Sequence, residues 1–256
     1  MITHLDFLHG TDLYRADLNK PIEIAIPLQH GPQNPNCYWA DEPKLETIRM
    51  GDFVGSVAEG GPVNYQKFTF SPHGNGTHTE CYGHISADGA STAYLIKNFH
   101  SMCRVVSIEP ELVNGDMIIT LSAFKREIDR IDSEAIAIRT MSNGVDKITR
   151  RYSGTNPPYL ESTLAAYLAK HKVIHLLVDL PSVDREVDGG ELLAHKAFWQ
   201  FPGQSRKQAT ITELIYVPNH IEDGLYLLNL QLTTLVADAS PSRPILFPII
   251  KLTHGI

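Results

Sequence analysis

Three consecutive segments in the second half of the chain constrain its fold most. Residues 135–140, Ala-Ile-Ala-Ile-Arg-Thr, form a short, mainly apolar run. Residues 161–171 place Leu164, Tyr167, Leu168 and His171 at helical spacing, and residues 173–179 return to an apolar run. Strand, helix, strand in that order implies two parallel strands joined by a right-handed crossover. Further strands are expected at 22–28, 63–70, 103–108, 208–216 and 225–235 and in the last ten residues, with a second helix at 122–131 capped by Ser122. So many additional strands make the sheet mixed. No internal repeat and no linker divides the sequence, which points to one α/β domain over residues 1–256.

Composition narrows the function classes. A formal net charge of −7 disfavours a phosphate-tracking surface, and no cluster of Lys and Arg alternates with aromatics, so nucleic acid is not an expected partner. The mixed-sign run at 125–132 reads as a solvated face. No apolar stretch approaches the roughly 20 residues that cross a bilayer, and a membrane is not expected either. His4, Asp6 and His9 stand where a signal peptide needs a basic end and an apolar stretch. Cys37, Cys81 and Cys103 are odd in number and lack paired metal-ligand spacing, which suits a reducing compartment. A cytoplasmic location is the expectation.

The strand expected at 63–70 runs directly into Ser-Pro-His-Gly-Asn-Gly-Thr-His-Thr-Glu-Cys-Tyr-Gly-His, residues 71–84, with three histidines and a glutamate. Imidazole nitrogen and carboxylate oxygen are ligands that borderline divalent ions accept, and glycine lets ligands close in sequence converge. If 77–81 is extended, His78 and Glu80 share a face and Cys81 points the other way; a helix would turn the first two about 200° apart. His84 keeps the parity of His78. His73 has the opposite parity unless Gly74-Asn75-Gly76 makes a turn. The cluster reads as a metal or acid–base site, against histidines that merely cap turns or line a loop, and Cys81 reads as a buried small residue.

Gly-Thr-His-x-Glu-x-x-Gly-His resembles the signature of the cyclase family of metal-dependent hydrolases, which includes bacterial kynurenine formamidase and isatin hydrolase and writes His-x-Gly-Thr-His-x-Asp-x-Pro-x-His. Val-Asp-Leu-Pro-Ser-Val-Asp at 178–184 is similar to a second family segment, followed by His195 in Leu-Leu-Ala-His and Glu213 in Ile-Thr-Glu-Leu. Residues 155–159 and 240–244 also resemble family segments. Carried over, the resemblance implies that His78, Glu80, His195 and Glu213 are metal ligands, that His84 is the proton donor and acceptor, and that Trp39 lines the substrate pocket; Tyr38 and Phe70 are read beside it as further aromatics of that wall. Three departures stand out: the family's first ligand falls on Gly74 with His73 displaced by one residue, Glu80 replaces an aspartate, and the proline before His84 is absent. His73 is expected to regain the ligand role through a one-residue bulge.

The same resemblance implies a swivelling β/β/α fold of three layers with a mixed, partly barrel-like sheet and few helices, a divalent metal, zinc or manganese, at one or two ions per chain, and assembly as a homodimer or homotetramer. It implies hydrolysis of a carbon–nitrogen bond in a small amide or formamide, with metal-activated water as nucleophile and His84 moving the proton. Two other readings stay open from the sequence. One is a metal-stabilised binding or structural protein that has lost catalysis. The other is an isomerase or dehydratase with His84 as base.

Overall fold

In the computed structural model, which describes residues 2–252, the run Ala135–Thr140 is buried along its whole length. Alternation sends its side chains into two different cores. Ile136 and Ile138 pack against helices with Phe124, Leu164, Leu168, Phe198 and Trp199, whereas Ala135 and Ala137 face Val105, Leu177, Leu228 and Leu246. That second core is the inside of a closed sheet, where alanines leave room for the opposing strands.

Seven strands close the sheet: β1 (His78–Cys81), β2 (His100–Ile108), β3 (Ala135–Thr140), β4 (His175–Val178), β5 (Thr210–Glu213), β6 (Gly224–Leu232) and β7 (Ala239–Leu252). Their order is β7-β6-β2-β3-β4-β5-β1, and β1 pairs back onto β7. Strands β2 to β5 are parallel, and the pairs β2–β6, β6–β7, β5–β1 and β1–β7 are antiparallel. The mixed sheet expected from the strand order is therefore present, in the barrel-like form that the resemblance implies. The helices are few and short: α1 (Pro72–Asn75), α2 (Thr92–Leu95), α3 (Leu121–Glu127), α4 (Ser162–Lys170) and α5 (Leu193–Trp199).

The crossover β3-α4-β4 is parallel as expected, with Ala135 opposite His175. Helix α3 begins one residue earlier than expected, and Thr120 rather than Ser122 caps it, accepting from the Ala123 N–H at 3.0 Å. Of the strand expected at 22–28, Ile22–Glu23 pairs with β7 and Ala25 makes an isolated bridge to Ile215, while the Ile26 N–H leaves the ladder for the Thr77 hydroxyl. The hairpin His4–His9/Asp12–Asp17, which pairs with the end of β7, has no alternating apolar pattern and was not expected. Cys37, Cys81 and Cys103 are all free and buried. Among the described residues no helix is long and apolar enough to cross a membrane.

Helix α5 is short but firmly held. Phe198 and Trp199 are fully buried against α4 and the barrel wall, and each such side chain contributes about 1.5–3 kcal/mol. The Trp199 indole also donates to the Ala209 carbonyl at 3.0 Å. The helix is thus a fixed seat for His195.

Candidate metal centre

Register places the first residues of the site. On antiparallel strands β1 and β5, His78 lies directly opposite Glu213 and Glu80 opposite Ile211. Directly opposed residues share a face. Ile211 belongs to the core beneath the helices, so His78, Glu80 and Glu213 open on the helix side of the barrel wall. The other face holds Thr79 and Thr212, joined hydroxyl to hydroxyl at 2.7 Å. Extended geometry at 78–81 thus separates His78 and Glu80 from Cys81, whose thiol burial pushes up to about 11.

Helix α5 brings His195 over this face. Its Nε2 lies 3.0 Å from Glu80 Oε1 and 3.9 Å from Glu213 Oε1, and its Nδ1 lies 2.6 Å from Asp184 Oδ2. Asp184 also accepts from the Ala194 and His195 backbone N–H groups, at 2.7 and 3.1 Å, and so supplies the caps that Leu192 cannot. His78 Nε2 lies 3.3 Å from Glu213 Oε2, while its Nδ1 is 3.0 Å from the Gly76 carbonyl. Glu213 Oε1 accepts from the Val183 N–H at 3.1 Å.

The remaining histidines form the open side. His73 comes from α1, not from a bulge: one helical turn at Pro72–Asn75 swings it back so that Nδ1 lies 3.4 Å from Glu80 Oε2. A side chain at position 74 has no room, because a Cβ there would stand 2.3 Å from that of Ala40. His84 sits on a 3₁₀ turn, Tyr82–Ile85, with Nδ1 3.6 Å from Glu80 Oε2 and 3.2 Å from Asp238 Oδ2. The side chains of His73 and His84 are about 30% exposed, whereas those of His78, Glu80, His195 and Glu213 are buried.

Two carboxylates with almost no solvent are costly unless paired. Burial opposes the charge on Glu80, but His84, His195 and His73 outweigh it and hold the carboxyl well below the usual range. Burial likewise opposes charge on His195 and His73. The carboxylates of Asp184 and Glu80 beside the first, and of Asp238 and Glu80 beside the second, raise both to about 10.

His78 Nε2 and Glu80 Oε2 are buried and have no hydrogen-bond partner. Buried polar atoms without partners are uncommon. The nearest groups, Glu213 Oε2 at 3.3 Å from His78 Nε2 and His73 Nδ1 at 3.4 Å from Glu80 Oε2, are out of hydrogen-bonding alignment, and His73, His78 and Glu80 offer ligand atoms that lie within 4.8 Å of each other. His73, His78 and His195 each aim one nitrogen at the two glutamates and anchor the other on an acceptor. That is the arrangement metal-bound imidazoles adopt. The donor set fits a divalent ion of the zinc or manganese kind.

Tyr38 and Trp39 lie in a tight turn, both with positive φ (54° and 51°). The turn is tied to α1 through Cys37 N–H to the Gly74 carbonyl at 3.0 Å, and to Ser153 through the Trp39 N–H at 2.9 Å. Burial and the nearby Glu213 push the Tyr38 phenol up, with Ser182 beside it. Trp39 is 68% exposed next to it, and Phe70 packs at a tilt against Phe68 and lines a separate cleft with Asp41 and Glu42. The site also contains two carboxylates to which the sequence assigns no role, Asp184 and Asp238. Each lies in or near a family-like segment, but neither carries a local pattern that marks it.

Residues 16–185 match the family model "Putative cyclase". The chain belongs to the cyclase family. Its relatives include the kynurenine formamidase of Bacillus anthracis, 30% identical over 206 residues that cover 77% of this chain and 87% of that protein. The kynurenine formamidase of Bacillus cytotoxicus is 29% identical over 193 residues, covering 75% and 83%. Solved structures share the fold of this family member. Isatin hydrolase A from Labrenzia aggregata, bound to benzyl benzoate, has a TM-score of 0.64 at 14% identity, over 89% of this chain and 93% of that one. A potential metal-dependent hydrolase with cyclase activity has a TM-score of 0.63 at 18% identity, over 89% and 97%.

Proposed function

We propose that this protein is a metal-dependent hydrolase of a carbon–nitrogen bond in a small amide or formamide. The observation that carries the reading is the pair of buried atoms without hydrogen-bond partners, His78 Nε2 and Glu80 Oε2, in one ligand group with His73 and among anchored imidazoles. The relatives named kynurenine formamidase support the bond type. His78, Glu80, His195 and Glu213 would hold the ion, zinc or manganese, and His73 would complete the set from the open side. A bound divalent ion supplies Lewis acidity, lowering the pKa of water towards about 7 and polarising a carbonyl.

The chain's own residues do the rest. With Nδ1 engaged by Asp238, His84 presents Nε2 to the substrate side, where it takes a proton from the attacking water and returns it to the leaving nitrogen. Exposure on that side alone fixes the direction of approach: the substrate enters past His73 and His84, since the opposite wall is the barrel. Tyr38 and Trp39 give the entrance its aromatic side, which suits a planar or aromatic amide. The barrel draws its strands from residues 78–252 and the N-terminal hairpin joins β7, which supports reading the chain as one domain. Its three buried thiols suit a cytoplasmic enzyme.

The test is a screen of small formamides and amides with the purified protein, repeated after chelation and after zinc or manganese is restored. Hydrolysis that disappears with the chelator and returns with the ion is expected. Turnover indifferent to chelation, with no metal bound, would overturn the proposal.

A further inference from the structure

Asp238 lies in the turn that precedes β7, and one of its oxygens serves two histidines. Oδ2 is 3.0 Å from His73 Nε2 and 3.2 Å from His84 Nδ1, and the two rings lie tilted by 35° with centroids 4.5 Å apart. Glu80 Oε2 approaches His73 from the opposite side, 3.4 Å from Nδ1, and lies 3.6 Å from the same His84 Nδ1 that Asp238 engages. His73 is therefore gripped through both nitrogens, one towards the metal centre and one away from it.

The backbone holds Asp238 beside the strand that carries Glu80. The Asp238 carbonyl accepts from the Cys81 N–H at 3.0 Å, and the next residue, Ala239, pairs directly with Glu80. His73 lies outside the strand ladder, and the bonds that hold its turn, from the Cys37 N–H to the Gly74 carbonyl and from the Asn75 side chain to the Asp41 carbonyl, do not touch its ring. It stands on a four-residue turn, is 29% exposed at its side chain, and replaces a ligand that position 74 cannot carry because Ala40 fills the space. A partly exposed imidazole on a short turn loses rotamer freedom to reach a fixed point, and a hydrogen bond from behind offsets that loss.

We infer that Asp238 is a positioning residue: it holds the displaced His73 as a metal ligand and, through the same oxygen, sets the ring of His84 for proton transfer. The inference rests on the proposed metal site, and it goes further by linking two functions to one carboxylate. Asp184 does for His195 alone what Asp238 does for a pair.

The experiment is a double-mutant comparison. Zinc affinity is measured by competition with a chromophoric chelator, and kcat and KM on the amide found to turn over, for the wild type, Asp238→Ala, Asp238→Asn, His73→Ala, His84→Ala and the doubles with Asp238→Ala. Asp238→Ala is expected to weaken zinc binding by about tenfold to a hundredfold and to lower kcat with little change in KM. In the His73→Ala background it should cost no further zinc affinity, and in the His84→Ala background no further kcat. Asp238→Asn, which keeps one acceptor oxygen, should recover part of both losses. Unchanged affinity and kcat in Asp238→Ala, or effects that simply add to those of the histidine variants, would overturn the inference. A wild type without zinc would instead sink the metal reading, and the ligand half of this one with it, before any variant is compared.

Discussion

His195 and Asp184 share a 2.6 Å contact between Nδ1 and Oδ2, and the same carboxylate accepts the backbone N–H of His195 at 3.1 Å. One side chain thus both caps α5 and orients the imidazole that the helix carries. Replacing Asp184 with Asn is expected to lower zinc affinity by about tenfold to a hundredfold, the usual cost of losing the outer partner of a ligating histidine. Chelator competition checks it; equal affinity in the variant would show that α5 alone fixes His195.

His84 is the one histidine of the cluster assigned to proton transfer and not to the ion. His84→Ala should lower kcat by about a hundredfold or more while leaving metal content and melting temperature as in the wild type. Kinetics, metal analysis and thermal melts on one preparation decide it. Equal turnover would exclude the role, and no turnover in the wild type on any amide would favour a binding or structural protein.

Gly74 explains why the ligand comes from position 73. A Cβ at 74 would meet that of Ala40 at 2.3 Å and the Cys37 carbonyl at 3.3 Å, so Gly74→Ala overpacks the contact between α1 and the Tyr38-Trp39 turn. The expected loss is about 1–3 kcal/mol of stability. Ala40→Gly in the same chain should recover most of it in denaturant melts. A Gly74→Ala protein as stable as the wild type would contradict the packing described.

Much of the site was legible because two signals are local. Alternation along β1 put His78 and Glu80 on one face, and the run at 135–140 together with the periodicity at 161–171 gave the crossover that seats the sheet. What stayed hidden depends on distance in sequence. Helix α5, only seven residues long, gains its order from Trp199 and Phe198 in the core and from caps supplied by Asp184, eleven residues before His195. Asp238 reaches His73 across 165 positions through the pairing of β7 with β1, and nothing in its own neighbourhood announces that. His73 was expected on a bulge, yet Pro72 at the first position of a helical turn delivers it instead.

His175 on β4 gives the protein a pH dependence away from the metal centre. Burial lowers its pKa from an ordinary 6.5 to about 4. Between those values the unfolded chain takes up a proton that the native imidazole refuses, so stability falls as pH drops from about 6.5 to about 4, by at most about 3 kcal/mol, and no further below. In chelator-treated protein, His175→Gln should lose less melting temperature than the wild type between pH 7 and pH 4.5. Identical pH dependence in the two would show that His175 titrates normally.

If the buried wall formed by His78, Glu80, His195 and Glu213 exists to hold a divalent ion, metal analysis of the purified protein beside His78→Ala will show it. At least one zinc or manganese per chain is expected in the wild type, with near-complete loss of metal and amide hydrolysis in His78→Ala and the fold retained by circular dichroism. A wild type that carries no ion and takes none up, or a His78→Ala protein that keeps both metal and turnover, would contradict that role for the wall.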